Sequence, residues 1–98
     1  MMFTKRIKQL REEHQMPQRQ LAAVLEIDTA TYCKIEKGER RARREQVVKL
    51  AKLLQIDENE LLSLWLAEQI VTVVKDEQKI RDKALEIVLL KVKNGLEF

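Results

Sequence analysis

The sequence predicts an all-α protein. Apolar residues recur at the spacing of a helix face along the chain, and only two glycines and one proline interrupt its 98 residues. Apolar residues make up 45% of the chain and charged residues 36%, which excludes a disordered tail and disfavours a turn-rich β fold. A chain of this length builds one hydrophobic core, whose stability is marginal without a partner chain.

The first predicted helix covers residues 4–13. Ile7 and Leu10 lie one turn apart on its inward face, and Thr4 is a candidate N-cap. The helix must end before Pro17, because the residue before a proline is driven out of helical dihedral angles.

Two short helices joined by a three-residue turn follow, over residues 18–25 and 29–37. Asp28 is a candidate N-cap of the second of them, because its carboxylate accepts amide hydrogens and complements the helix dipole. Gly38 ends that helix, since glycine readily takes the positive φ of a helix C-terminus. The residues expected to face inward in this pair are Leu21, Ala22, Leu25, Ile27 and Ile35.

Three further helices are predicted in the rest of the chain. A fourth helix over residues 44–54 follows the exposed, charged loop 39–43. The fifth runs from its capping residue Asp57 to about Val74. Asp76 is then predicted to cap a sixth helix, which ends at the last glycine.

Charge divides the chain into two unlike halves. Residues 1–56 hold 13 Lys and Arg against 7 Asp and Glu, whereas residues 57–98 hold 6 against 9. The net charges are therefore +6 and −3. A basic first half suits a polyanion, and a slightly acidic, apolar second half suits contact with protein.

Cysteine and histidine usage excludes several kinds of site. Cys33 and His14 are single, so the chain has neither an internal disulfide nor a set of zinc ligands. The sequence contains no carboxylate pair, no nucleophile beside a base and no glycine-rich phosphate loop. It predicts no enzyme, no metal site and no cofactor.

No targeting or membrane segment is expected. The N-terminus lacks the apolar stretch of a secretory signal. The most apolar window, residues 61–74, contains Glu68 and is shorter than the roughly 20 residues that span a bilayer. The sequence therefore predicts a cytoplasmic protein without a membrane partner.

The segment from Gln18 to Arg40, QRQLAAVLEIDTATYCKIEKGER, resembles the signature of Cro/CI-type (XRE) helix-turn-helix regulators. The resemblance covers about residues 3–66. It implies a five-helix, lambda-repressor-like DNA-binding domain over residues 1–66, whose second short helix enters the major groove of double-stranded DNA. Residues 67–98 are then expected to be a C-terminal helical extension for dimerisation.

The resemblance also implies which residues meet DNA. The residues expected to face bases are Thr29, Ala30 and Lys34. Ala30 can pack on a thymine methyl group, Lys34 can donate to guanine, and a threonine can bond a base or a phosphate. Gln18 matches the family glutamine that bonds a phosphate and supports the recognition helix. The complete set expected at DNA is Gln18, Arg19, Thr29, Ala30, Thr31, Cys33, Lys34, Lys37, Arg40, Arg41, Arg43 and Arg44.

Four arginines follow the recognition helix, where the family's loop runs beside the DNA backbone. Each guanidinium group suits a phosphate. The alternative is a solvated loop in which the arginines pair with Glu39 and Glu45.

The resemblance further implies a structural ion pair between Arg11 of the first helix and Glu36 of the recognition helix. Two residues depart from the family pattern. Pro17 replaces the usual capping serine or threonine and has no hydroxyl to cap with. Glu26 replaces the usual turn glycine and is expected to adopt a left-handed conformation at a cost of about 1 kcal/mol.

The apolar residues of the fifth and sixth helices exceed what one chain of this size buries. We expect a homodimer that acts as a repressor on a palindromic operator, with its two recognition helices ~34 Å apart. Trp65 is expected to be a core or interface anchor. The predicted dimer interface consists of Leu66, Ile70, Val73, Val74, Ile80, Leu85, Val88 and Leu89.

A rival interpretation is a protein-interaction module or antitoxin. It would bind a partner protein through the same fifth and sixth helices. The basic first half and the arginine-rich loop favour DNA, because a pure adaptor needs neither.

Overall fold

The structure is a computed structural model that describes residues 2–95. These residues form helices and connecting turns without a strand, which confirms the all-α fold class. The helices are α1 (Met2–Glu13), α2 (Gln18–Val24), α3 (Thr29–Lys37), α4 (Arg44–Leu53), α5 (Glu58–Val74) and α6 (Arg81–Lys93).

The chain divides into two compact units, Met1–Glu68 and Gln69–Phe98. The first unit contains the hydrophobic core, to which α1, α2, α3, α4 and α5 all contribute. Each large core side chain contributes about 1.5–3 kcal/mol by burial. The largest fully buried side chains are Tyr32, Ile7, Leu21, Ile35, Leu50, Leu54, Leu61 and Val47.

Helix α1 begins earlier than predicted, and Thr4 is not its N-cap. The helix starts at Met2, and Phe3 is only 2% exposed, so core packing draws the residues before Thr4 into the helix. The Thr4 hydroxyl instead donates to Glu68 Oε1 at 3.3 Å. The capping prediction was wrong because this partner lies 64 residues away in sequence.

The two departures from the family pattern have the expected local structures. Pro17 is the N-cap of α2, with φ −74° and ψ 155°, and makes no side-chain capping bond. Glu26 adopts the left-handed conformation with φ 58°. The Glu26 amide donates to the Ala23 carbonyl at 3.1 Å, so the turn still closes the end of α2.

Helix α5 begins as predicted, but α6 begins later than predicted. Asp57 Oδ2 accepts the Glu60 amide at 3.0 Å. Asp76 caps no helix, because α6 starts at Arg81 and its N-cap position is Ile80. Residues 75–79 are all polar, so they carry no apolar side chain that would anchor a helical turn by packing.

Helix α6 has 13 residues and no buried side chain. Within residues 2–95, no helix is long and apolar enough to cross a membrane.

Candidate nucleic-acid interface

The candidate recognition helix is α3, and both of its ends are capped. At the N-terminus, Asp28 Oδ1 accepts the Thr31 amide at 2.7 Å, and the hydrogen bonding with Thr31 lowers the pKa of Asp28. At the C-terminus, Gly38 has a φ of 81°, the left-handed conformation that satisfies the last carbonyl groups of a helix. These local bonds define where α3 begins and ends.

One face of α3 is buried and the opposite face is exposed. Tyr32 and Ile35 are 0% and 1% exposed and belong to the core. Ala22, at 2% exposed, provides the small side chain that lets α2 and α3 pack closely. Thr31 and Cys33 are half-buried. The exposed residues of α3 include Thr29, Ala30, Lys34 and Lys37.

An ion pair joins α1 to the C-terminal turn of α3. Arg11 Nε donates to Glu36 Oε2 at 2.9 Å, and Arg11 Nη2 donates to Glu36 Oε1 at 2.8 Å. This two-pronged geometry is specific to arginine. A third bond runs from Arg11 Nη1 to the Met16 carbonyl at 3.0 Å, so the pair also holds the turn before α2.

The Glu36 carboxylate remains ionised although its side chain is only 4% exposed. Burial by itself would raise the pKa of Glu36, but the hydrogen bonds and the charge of Arg11 outweigh burial and hold this pKa below its ordinary value of 4.5. The bond to Glu36 raises the pKa of Arg11. Burial and the neighbouring Glu36 carboxylate raise the pKa of Tyr32, so that the buried phenol stays neutral.

A shallow surface depression beside this ion pair contains a residue that the sequence analysis missed. Lys8, Gln18 and Lys37 line it together with the ion pair, and Gln18 Nε2 donates to Glu36 Oε1 at 3.4 Å. Lys8 and Lys37 are exposed, so two cations lie near the first residue of α2. Lys8 precedes Arg11 by one helical turn, and this spacing is the signal that could have identified it.

The loop between α3 and α4 is held at its start. The amides of Glu39 and Arg40 donate to the Lys34 carbonyl at 2.9 and 3.2 Å, so the backbone leaves α3 in a defined direction. The exposed arginines of this loop and the start of α4 are Arg40, Arg41, Arg43 and Arg44, and Arg19 is exposed on α2.

The middle of this loop is buried, which corrects the prediction of a loop exposed throughout. Ala42 is 2% exposed, and its carbonyl accepts the indole Nε1–H of Trp65 at 2.8 Å. The next amide, that of Arg43, donates to Gln46 Oε1 at 2.8 Å. The prediction was wrong at Ala42 because the methyl group packs into the core, a long-range contact without a local signature.

Carboxylates near the arginines do not withdraw them from solvent. Arg43 Nε lies 3.8 Å from Glu45 Oε1, and the two side chains are 70% and 65% exposed. An exposed pair of this kind contributes about 0–1 kcal/mol. Arg43 therefore stays available to a stronger anionic partner.

The residues expected at a dimer interface lie on α5, on α6 and at the N-cap of α6. Leu66 belongs to the first compact unit, and the other seven belong to the second. Val74 and Leu85 are half-buried, and the other six are exposed. The second unit exposes four further large apolar residues, Val71, Ile87, Leu90 and Val92.

Comparison with known proteins agrees with this architecture. A family model described as helix-turn-helix matches residues 7–61, more than half of the chain. No curated protein and no solved structure matches the chain significantly. Two short packed helices with an exposed face on the second define a DNA-binding protein of the helix-turn-helix class.

The chain belongs to the Cro/CI-type (XRE) helix-turn-helix family. Its general function is therefore regulation of transcription through DNA binding.

Proposed function

We propose that the protein is a sequence-specific repressor that binds a palindromic operator in double-stranded DNA as a homodimer. The observation that carries this proposal is a capped recognition helix, α3, with an exposed polar face. Beside it, the following loop and the first residue of α4 together present four exposed arginines. A rigid helix reads base edges, and flanking cations position it on the phosphate backbone. We also propose a cytoplasmic location and no catalytic role, as the sequence predicts.

The exposed side chains of α3 can contact base edges directly, but each makes few contacts with a base. Lys34 donates to guanine O6 or N7, Ala30 packs on a thymine methyl group, and Thr29 bonds a base or a phosphate. Helix α3 contains no arginine, asparagine or glutamine, the planar side chains whose two polar atoms match the edge of one base. Sequence discrimination therefore rests partly on DNA shape and deformability.

The backbone contacts surround this helix on two sides. Residues 39–43, the arginine loop, follow α3, and the depression that contains Gln18 and Lys37 lies beside the C-terminal turn of α3. Lys8 extends the second group of contacts beyond the residues expected from sequence. Each phosphate that a lysine or arginine neutralises releases counterions and adds to affinity without specifying sequence.

Dimerisation through α5 and α6 is supported by the apolar surface that the second unit leaves exposed. Val73 is 79% exposed and Leu89 is 60% exposed. Burial in a partner stabilises association by about 25 cal/mol per Å², against the cost of lost rotational and translational freedom. Two-fold symmetry would then pair two recognition helices on one operator. A dimer bound to an operator that overlaps a promoter blocks transcription by exclusion, and repression of this kind requires no further surface of the protein.

Selection from a random-sequence DNA library, followed by mobility-shift titration at several salt concentrations, tests the proposal. We expect one enriched palindromic site and an affinity that falls steeply with salt, with a slope of about −0.9 per neutralised phosphate. Lys34→Ala should change the base preference, whereas Arg43→Ala should weaken all sequences alike. Absence of binding to every sequence at low salt would refute DNA recognition.

A partner protein is the second candidate occupant of the α6 surface, as in an antitoxin. The same exposed apolar residues support it, because they fit any complementary apolar surface. Sedimentation equilibrium of the purified protein separates the two. A dimer at micromolar concentration supports self-association, and a monomer at tens of micromolar favours a different partner.

A further inference from the structure

One peptide group in the arginine loop is held at both of its edges. The carbonyl of Ala42 accepts the Trp65 indole at 2.8 Å, and the amide of Arg43 donates to Gln46 Oε1 at 2.8 Å. These two atoms belong to the same planar peptide unit. The orientation of the chain at Arg43 is therefore fixed from α5 on one side and from α4 on the other.

The residues that hold this peptide are themselves well anchored. Trp65 is half-buried and packs against the core, Gln46 is 8% exposed, and the Ala42 methyl group between the arginines is 2% exposed. Trp65 reaches the loop across 23 residues of sequence. The Arg43 side chain, by contrast, is 70% exposed, so a rigid backbone carries a cation into solvent.

We propose that Trp65, with Gln46, is a positioning residue that orients the arginine loop toward the DNA backbone. This inference rests on the proposed function, because it requires the arginines to contact phosphates. The two hydrogen bonds orient the backbone that carries Arg43 toward a phosphate and lower the conformational entropy that the loop loses when it docks on DNA. Releasing the peptide therefore removes a phosphate contact as well as affinity. In this proposal Trp65 acts through the backbone at Arg43 and not by a contact of its own with DNA.

The test uses full-length Trp65→Phe, which keeps an aromatic ring in the core and deletes the N–H donor. We expect affinity for DNA of any sequence to fall about three- to tenfold, the effect of one hydrogen bond. The plot of log affinity against log salt should become shallower by about 0.9 for each phosphate that the variant no longer neutralises. Base preference should not change.

Leu64→Ala is the matched control, because Leu64 also packs against the core from α5. It should lower the melting temperature and leave the salt slope unchanged. Gln46→Ala releases the other edge of the peptide and should also make the salt slope shallower. This second variant keeps the test possible if Trp65→Phe folds poorly. In an Arg43→Ala background, Trp65→Phe should reduce the slope much less than it does in the wild type.

The outcomes are distinguishable. A wild-type protein that binds no DNA at low salt would overturn the proposed function and this inference together. Wild-type binding with an unchanged salt slope in both folded Trp65→Phe and Gln46→Ala would overturn this inference alone. A shallower slope in both variants, absent from Leu64→Ala, would establish the positioning role.

Discussion

The two compact units differ in how far each buries its own apolar side chains. Every helix of Met1–Glu68 contributes to a core that contains fully buried residues such as Ile7 and Leu61. In Gln69–Phe98, α6 has no buried side chain over its 13 residues. A helix of that length is marginal in water by itself. We infer that the first unit is stabilised by its own core and that the second depends on association.

Removing residues 69–98 should have the largest effect and tests this comparison directly. Residues 1–68 contain the core and should remain folded as a monomer. Operator affinity should fall about 10²- to 10⁴-fold, because two half-site contacts are no longer linked. Mobility shift and sedimentation measure the two changes, and a single half-site serves as the control because its affinity should not change. Full operator affinity after truncation would refute the role of the second unit.

Glu36→Ala should destabilise the first unit by about 3 kcal/mol, because it leaves the half-buried charge of Arg11 without its partner. Arg11→Ala should also destabilise, and the double variant should cost less than the sum of the two. Urea denaturation measures these free energies of unfolding. Glu45→Ala is the control, with an expected change within about 0.5 kcal/mol for an exposed side chain. Additive effects of the two substitutions would contradict an energetic coupling.

Leu89→Glu should weaken dimerisation about tenfold or more, because a charge replaces an apolar contact in the proposed interface. The melting temperature of the first unit should not change. Val24→Glu is the matched control, since Val24 is an exposed apolar residue of the first unit at 37% exposed. Analytical ultracentrifugation measures both variants. An unchanged dissociation constant for Leu89→Glu would place the interface elsewhere.

Acid should destabilise the first unit through Glu36. Its pKa is lower in the folded protein than the ordinary value of 4.5, so the unfolded chain binds the proton first. The stabilisation is therefore present above about pH 4.5 and is lost as pH falls through the folded-state pKa. Glu36→Gln should be less stable at neutral pH but should lose less stability below about pH 4.5. Urea denaturation at a series of pH values measures the free energy of unfolding of both proteins. An equal loss of this free energy in the two proteins below about pH 4.5 would contradict the assignment.

Glu26→Gly should have the smallest effect, a stabilisation of up to about 1 kcal/mol. Glu26 has a φ of 58°, which glycine adopts without strain, although glycine also gains entropy in the unfolded chain. Thermal denaturation checks the shift. The control Gln20→Gly, inside α2 and exposed, should destabilise by about 1 kcal/mol. Destabilisation by Glu26→Gly would show that the Glu26 side chain makes a compensating contact.

Much of the first unit was predictable from sequence because its signals are local. The bounds of α3, its Asp28 cap and its Gly38 terminus follow from residues within one helical turn of each helix end. The left-handed Glu26 was expected from the family resemblance, which has a glycine at this position of the turn. The family resemblance predicted an ion pair between Arg11 and Glu36, and the structure contains that pair.

The sequence by itself determined the all-α class, the helix-turn-helix pair and the exposure of the arginines that follow the recognition helix. Only the tertiary structure decided that Thr4 bonds Glu68 rather than capping α1, and that Trp65 holds Ala42. It also decided that Lys8 shares a depression with Gln18. The physical reason is the range of the interactions. Caps and periodicity act over a few residues, whereas these contacts join residues that only packing of the core brings together.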